Sequence, residues 1–204
     1  MKTLFIPVKD KSAINEKELV FPNLQDNIVI AYSIQFQGLA LKLKEILSKK
    51  YKIAGLIQVL GCSNPKLSKN VSAILLLSTG RFHGISLAYE SNLPVYVLEN
   101  NQFSKINEKE VDFLKMKRKS AYVKFLNSSN IGLIVSTKPG QENLKKALSL
   151  KKSIKNKKFY SFIANSIDSN EFENFNIDSW INTACPRMDL DLPIVNIHDL
   201  ETVQ

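Results

Sequence analysis

Short runs of consecutive apolar residues recur along this chain, separated by stretches in which apolar residues return every three or four positions. The run at 28–33 (IVIAYS) predicts a strand, and after a turn at 35–38 the segment LALKLKEILSKK places its leucines and isoleucine on one helical face with lysines opposite. Runs at 53–60, 73–77 and 94–99 predict further strands, with a helix at 85–91 before the last. A long polar helix follows over 107–127. The scheme then restarts, with a strand at 130–136, a turn at 138–141, a lysine-rich helix at 142–154 and strands at 159–164 and 179–183. Strands that are apolar at every position are buried on both faces, as in a parallel sheet covered by helices.

The restart is also visible residue by residue. Asn27, Ile28 and Ser33 align with Asn130, Ile131 and Ser136, and the same offset pairs Leu41, Lys42 and Leu47 with Leu144, Lys145 and Leu150. The expected fold is therefore α/β, with two tandem similar α/β domains, each with a mainly parallel sheet flanked by helices. One domain is expected over 1–115, carrying Cys62, and the other over 116–204, carrying Cys185, with the break inside the long helix.

Composition narrows the class. Hydrophobic residues make up 44% and charged residues 23%, ordinary values for a globular protein. Residues 1–6 lack the apolar core of a secretory signal, and the longest apolar run, near 71–77, is far below the roughly 20 residues that cross a bilayer. A soluble, cytoplasmic protein with no membrane partner is expected. The net charge is +9, yet only Arg81, Arg118 and Arg187 are arginines, and the lysines are scattered over helix faces. Nucleic-acid sites mix arginine and aromatic residues into their basic stripes, so no direct nucleic-acid binding is expected.

Chemistry concentrates in four loops at the ends of the expected strands, where parallel α/β sheets form their ligand crevices. These are Gln58-Val59-Leu60-Gly61-Cys62, Ser78-Thr79-Gly80-Arg81-Phe82-His83-Gly84, Ser136-Thr137-Lys138-Pro139-Gly140-Gln141 and Asn182-Thr183-Ala184-Cys185-Pro186-Arg187. They hold both cysteines, two of the three arginines and one of the two histidines. An arginine in a chain that otherwise chooses lysine suits a planar, bidentate grip on a carboxylate, or else a tie to loop backbone. The cysteines are either two separate buried thiols or two ligands of one soft-metal or iron–sulfur site.

Taken in order, Gly61-Cys62, Gly80-Arg81-Phe82-His83, Thr137-Lys138-Pro139-Gly140-Gln141 and above all Asn182-Thr183-Ala184-Cys185-Pro186-Arg187 resemble the signature segments of the diphthamide synthase family. The resemblance implies a [4Fe–4S] enzyme that transfers a 3-amino-3-carboxypropyl group from S-adenosylmethionine to a histidine of elongation factor 2. It implies Cys62 and Cys185 as two of three cluster ligands, one per α/β domain. Arg81, His83, Gly140, Gln141 and Arg187 are expected around the methionyl or adenosyl part of the substrate; no catalytic residue is assigned.

The chain departs from the family pattern in two ways. The family's first domain and its cysteine are absent, so a third thiolate is expected from a separate N-terminal domain or a homologous subunit. Thr79 and Gly84 stand where the family tends to have an acidic residue and a proline. An enzyme subunit active with a partner chain is the leading expectation. Its alternatives are a non-catalytic scaffold or electron-relay partner of a catalytic subunit, and a plain nucleotide-binding module, which would lack any glycine-rich phosphate loop.

Overall fold

The computed structural model describes residues 4, 6, 8–11, 13–60, 65–99, 101–186 and 194–201. The chain divides into two compact units, Met1–Asp112 and Phe113–Gln204. In the first, β1 (Ile28–Tyr32), α1 (Gln37–Leu47), β2 (Ile53–Gln58), β3 (Ala73–Leu77), α2 (Phe82–Ser91), β4 (Val95–Glu99) and β5 (Gln102–Lys105) follow in order, and α3 (Glu108–Asn127) runs on into the second. That second unit contains β6 (Asn130–Ser136), α4 (Leu144–Ser153), β7 (Lys158–Ala164), β8 (Ser179–Asn182), β9 (Ile194–Asn196) and α5 (Ile197–Glu201).

The two sheets share one plan. The first is ordered β2-β1-β3-β4-β5 and the second β7-β6-β8-β9, so each opens with its second, first, third and fourth strands side by side. Pairing is parallel throughout except for β5, which turns back antiparallel on β4. Register repeats too: Ile28 faces Ala73 across β1 and β3, and its counterpart Ile131 faces Ser179 across β6 and β8. The expected fold class, two mainly parallel sheets with helices against them, is the one observed. All five residues of β1 and of β3 are buried, which is why those runs carry no polar alternation.

The central strands of each sheet are covered on both faces. In the first, Ile28, Ile30 and Leu75 pack with Ala40, Leu43 and Leu47 of α1, while Ala31, Ile74 and Leu76 pack with Leu87 and Ala88 of α2. The second sheet sets Ile131, Leu133 and Ile181 against Ala121 and Phe125 of α3. Among the described residues its other face carries no counterpart of α2. There Phe162, Phe172, Phe175 and Trp180 form an aromatic cluster, with Phe172 stacked on Trp180 at 4.2 Å between centroids. Trp180 lies across Gly132, where a Cβ would run into the indole.

Four elements differ from the expectation. β5 (QFSK) has one large apolar residue and no strand pattern; it forms because Asn101, at φ 61°, closes a tight hairpin after β4. β9 and α5 were not foreseen, being short pieces whose Ile194, Val195, Ile197 and Leu200 are buried by the neighbouring sheet. α2 begins three residues early, at Phe82, directly after Gly80 at φ 76°. No described helix is long and apolar enough to cross a membrane.

The start of α2 is tied down by Arg81. Its Nε and Nη2 donate to the two carboxylate oxygens of Glu110 at 3.0 and 2.7 Å, Nη1 donates to Ser104 Oγ at 3.2 Å, and Nη2 also reaches the Lys105 carbonyl at 3.2 Å. The Arg81 bond holds the Glu110 carboxyl below its ordinary range, the Asn107 backbone amide adds to this and burial opposes it. The same bond raises the Arg81 guanidinium. Both side chains are about a third exposed, so solvent screens the pair and it contributes at most ~1 kcal/mol.

Two predictions follow from this packing. Gly132→Ala forces Trp180 aside and is expected to cost about 1–3 kcal/mol, read as a lower urea midpoint. Gly38→Ala on α1, where a Cβ meets nothing within 4 Å, is expected to be neutral or stabilising by a few tenths of a kcal/mol, up to about 1. A further prediction concerns pH. A carboxyl whose folded-state pKa is depressed adds stability above its unfolded pKa of about 4.3 and loses it as pH falls through the folded value. Wild type is therefore expected to exceed Glu110→Gln in urea midpoint at neutral pH, with the difference shrinking in acid below about pH 4.

Candidate functional site

In each sheet the chain crosses from its second strand over the first to the third. The strand order therefore reverses beside β1 and β3, and again beside β6 and β8, and ligand crevices form at the carboxyl ends of such strands. At the first reversal Ser33 N–H donates to the Leu77 carbonyl at 3.0 Å, continuing the ladder into the loops. A cavity of about 460 Å³ opens there, lined among others by Phe36, Ser78, Thr79, Gly80 and Glu99. His83 stands at the start of α2 with Nδ1 3.0 Å from Ser78 Oγ and its ring edge-on to Phe82.

Two neighbours of His83 have packing reasons for their identity. Gly84 lies so close to Val97 and Ile106 that a Cβ would come within 2.9 Å of each. Any side chain at this spot would require Val97 and Ile106 to shift. Arg81, read from the sequence as a fork for a bound carboxylate, has that fork on Glu110, Ser104 and Lys105. In this structure it is the loop-tying member of the two roles weighed for it.

The second reversal holds the Cys185 loop. Thr183 is fully buried; its N–H and Oγ1 both donate to the Ile134 carbonyl, at 3.1 and 2.8 Å. Asn182, 2% exposed, folds its side chain over the loop that follows. Its Oδ1 accepts from Ala184 N–H at 2.9 Å, and its Nδ2 donates to the Cys185 carbonyl at 2.8 Å and to Asn196 Oδ1 at 2.9 Å. Cys185 itself is a free thiol, partly exposed.

Across the same crevice, after β6, Ser136 Oγ accepts from Lys138 N–H at 3.1 Å and Gln141 N–H closes a turn onto the Lys138 carbonyl at 3.0 Å. Gly140 sits in that turn at φ 80°, a left-handed conformation that glycine adopts without strain. Asn143 Nδ2 then donates to the Thr183 carbonyl at 2.8 Å, joining this turn to the cysteine loop. The structure thus brings the Gly140-Gln141 turn and Cys185 to one crevice, and places Arg81 and His83 at the corresponding end of the other sheet.

Cys62 and Arg187 lie outside the described residues. Among the described residues no group of three or more His, Cys, Asp or Glu gathers as a metal site. Cys185 follows the third strand of its sheet, whereas Cys62 follows the second of its own in sequence, so the repeat does not make the two cysteines equivalent. Sequence reasoning missed Asn143 and Asn196. Asn143 sits just before α4 and resembles a helix cap, yet its side chain makes no capping bond and crosses to Thr183 instead. Asn196 lies in an unforeseen strand and carried no signal of its own.

The comparisons with known proteins agree on one family. The model of the diphthamide synthesis protein family matches residues 1–201. A 2-(3-amino-3-carboxypropyl)histidine synthase of Methanocaldococcus jannaschii is 26% identical over 207 positions, covering 94% of this chain and 57% of the relative. Subunit 1 of the Encephalitozoon cuniculi synthase is 28% identical, covering 93% of this chain and 58% of that protein. A crystal structure of Dph2 from Pyrococcus horikoshii with a 4Fe-4S cluster superposes with a TM-score of 0.73 at 26% identity, covering 88% of this chain and 57% of that one. The chain spans less than two thirds of the length of each of these relatives. Since the match extends through both sheets and both reversal points, the chain belongs to the diphthamide synthesis protein family.

Proposed function

We propose that this chain is a subunit or part of a [4Fe–4S]-dependent transferase that moves a 3-amino-3-carboxypropyl group from S-adenosylmethionine to a histidine of elongation factor 2. The single observation that supports this best is the setting of Cys185. A free, partly exposed thiol at the carboxyl edge of a parallel sheet, on a loop held by buried hydrogen bonds, has the donor chemistry of a cluster ligand. Family membership and the cluster named for the Pyrococcus horikoshii relative point the same way.

In this reading Cys185 and Cys62 each give one thiolate. The chain contains two cysteines, so the third thiolate of the family's set comes from outside these 204 residues, from a further segment or a partner chain. When bound, the [4Fe–4S] cluster supplies the electron that cleaves the sulfonium bond to the amino-carboxypropyl carbon. This chain's own part is to bind and orient. In this reading Arg187, two residues past Cys185 in sequence, grips the substrate carboxylate, and the Gly140-Gln141 turn lies beside the Cys185 loop. His83, held by Ser78, takes the adenosyl or methionyl side. Arg81 acts by fixing the His83 loop through Glu110 rather than by touching the substrate. The setting is cytoplasmic, where thiols stay reduced.

One observation favours a second reading, that of a non-catalytic scaffold or electron-relay partner: two cysteines are one short of the family's ligand set. The same experiment separates the two. The chain is reconstituted anaerobically with iron and sulfide, alone and with a co-expressed full-length relative, and examined by iron content and electron paramagnetic resonance. Cys62→Ser and Cys185→Ser are each expected to remove cluster uptake by this chain and transfer activity by the assembly. Full uptake and activity in both variants would show the thiols to be bystanders and leave the scaffold reading.

A further inference from the structure

We infer that Asn182 and Asn196 form an amide clamp that positions the Cys185 thiol, making Asn196, on a strand with no chemistry of its own, a positioning residue for the site. As a statement about a ligand this rests on the proposed function; as a statement about the loop it does not. The two asparagines are register partners on the parallel strands β8 and β9. They are 2% and 3% exposed, and buried amides are tolerated only when their hydrogen-bonding groups are matched.

Asn182 has every one of those groups in use. One N–H of its amide meets Asn196 Oδ1, the other meets the Cys185 carbonyl, and the oxygen takes Ala184 N–H. A carboxylate has no donor and leucine has no polar atom, so neither reproduces this set. The geometry explains what the clamp does. Asn182 is the last residue of β8, which is paired on both sides, so its amide projects the rigidity of the sheet three residues forward onto the cysteine backbone. Asn196 Oδ1 fixes the rotation of that amide, and with it which atom faces Cys185. Thr183, by contrast, anchors the root of the loop to β6 without touching Cys185.

The test uses the full cluster-free chain in a Cys62→Ser background, so that Cys185 is the one thiol present. Its rate of alkylation by iodoacetamide is measured beside the thermal midpoint. Asn196→Leu frees the clamp, and Asn182→Asp keeps the acceptor for Ala184 while losing both donors. Each is expected to speed alkylation by roughly five-fold or more, the factor that one net hydrogen bond is worth. Thr183→Val serves as the structural control: a lower thermal midpoint with an alkylation rate unchanged within about two-fold. Equal rate changes in the clamp variants and Thr183→Val, or no change in any, would overturn the clamp. The ligand reading fails separately, if Cys185→Ser leaves iron uptake intact.

Discussion

Parallel pairing is the constraint on which the rest of this structure depends. When β1 is flanked on both sides by strands running its own way, no tight turn can connect them, and every connection must travel from one end of the sheet to the other. The carboxyl ends of β1, β2, β3 and β4 then share one edge, and so do those of β6, β7, β8 and β9. Residues far apart in sequence are gathered there without any attraction between them. Ser33 meets Leu77, and Asn143 meets Thr183, because the ladder brings both ends to the same height. The chemistry is confined to these edges because the sheet interiors, from Ile28 to Val195, are closed by apolar packing.

This also decides what could be seen in the sequence. The strands at 28–33, 73–77 and 130–136 were legible because burial on both faces leaves a continuous apolar run, a pattern set by local composition alone. The loops were legible for a different reason: cysteine, arginine and histidine are scarce in this chain and fall together there. β5 and β9 were hidden because a short strand at a sheet edge is defined by its partner's backbone, and QFSK or IVN contains too little pattern to declare itself. The aromatic cover of the second sheet was hidden for the same reason, since Phe162, Phe172, Phe175 and Trp180 converge only once β6, β7 and β8 are aligned.

Arg81 illustrates a limit of reasoning from rarity. An arginine chosen over lysine does signal a need for a planar fork, and the fork is indeed used bidentately. What sequence could not give was the carboxylate's owner, Glu110, which stands in the first turn of α3 and reads as an ordinary helix-start acid. The bidentate pair also explains why Gly80 and Gly84 bracket the segment. Gly80 supplies the left-handed turn that swings Arg81 toward β5, and Gly84 lets α2 settle against Val97 and Ile106 once it is held there.

The two cysteines fall at different points of the strand plan that the two sheets share. Cys185 follows the third strand and is framed by the crevice at the strand reversal, while Cys62 follows an edge strand. A duplicated fold therefore does not imply a duplicated site. Equivalent positions under the repeat, such as Ser33 and Ser136, are buried serines at the ends of central strands. The distinguishing residues, Asn182 and Asn196 on one side and Arg81 with Glu110 on the other, are each built into one unit alone. The two units thus hold these loops by different means, buried amides at the Cys185 loop of one and a screened ion pair at the loop between β3 and α2 of the other. The difference in method matches the difference in setting. Buried amides hold a loop in a closed interior, where an unmatched charge would be costly, and a bidentate ion pair holds one at a surface where solvent is already present.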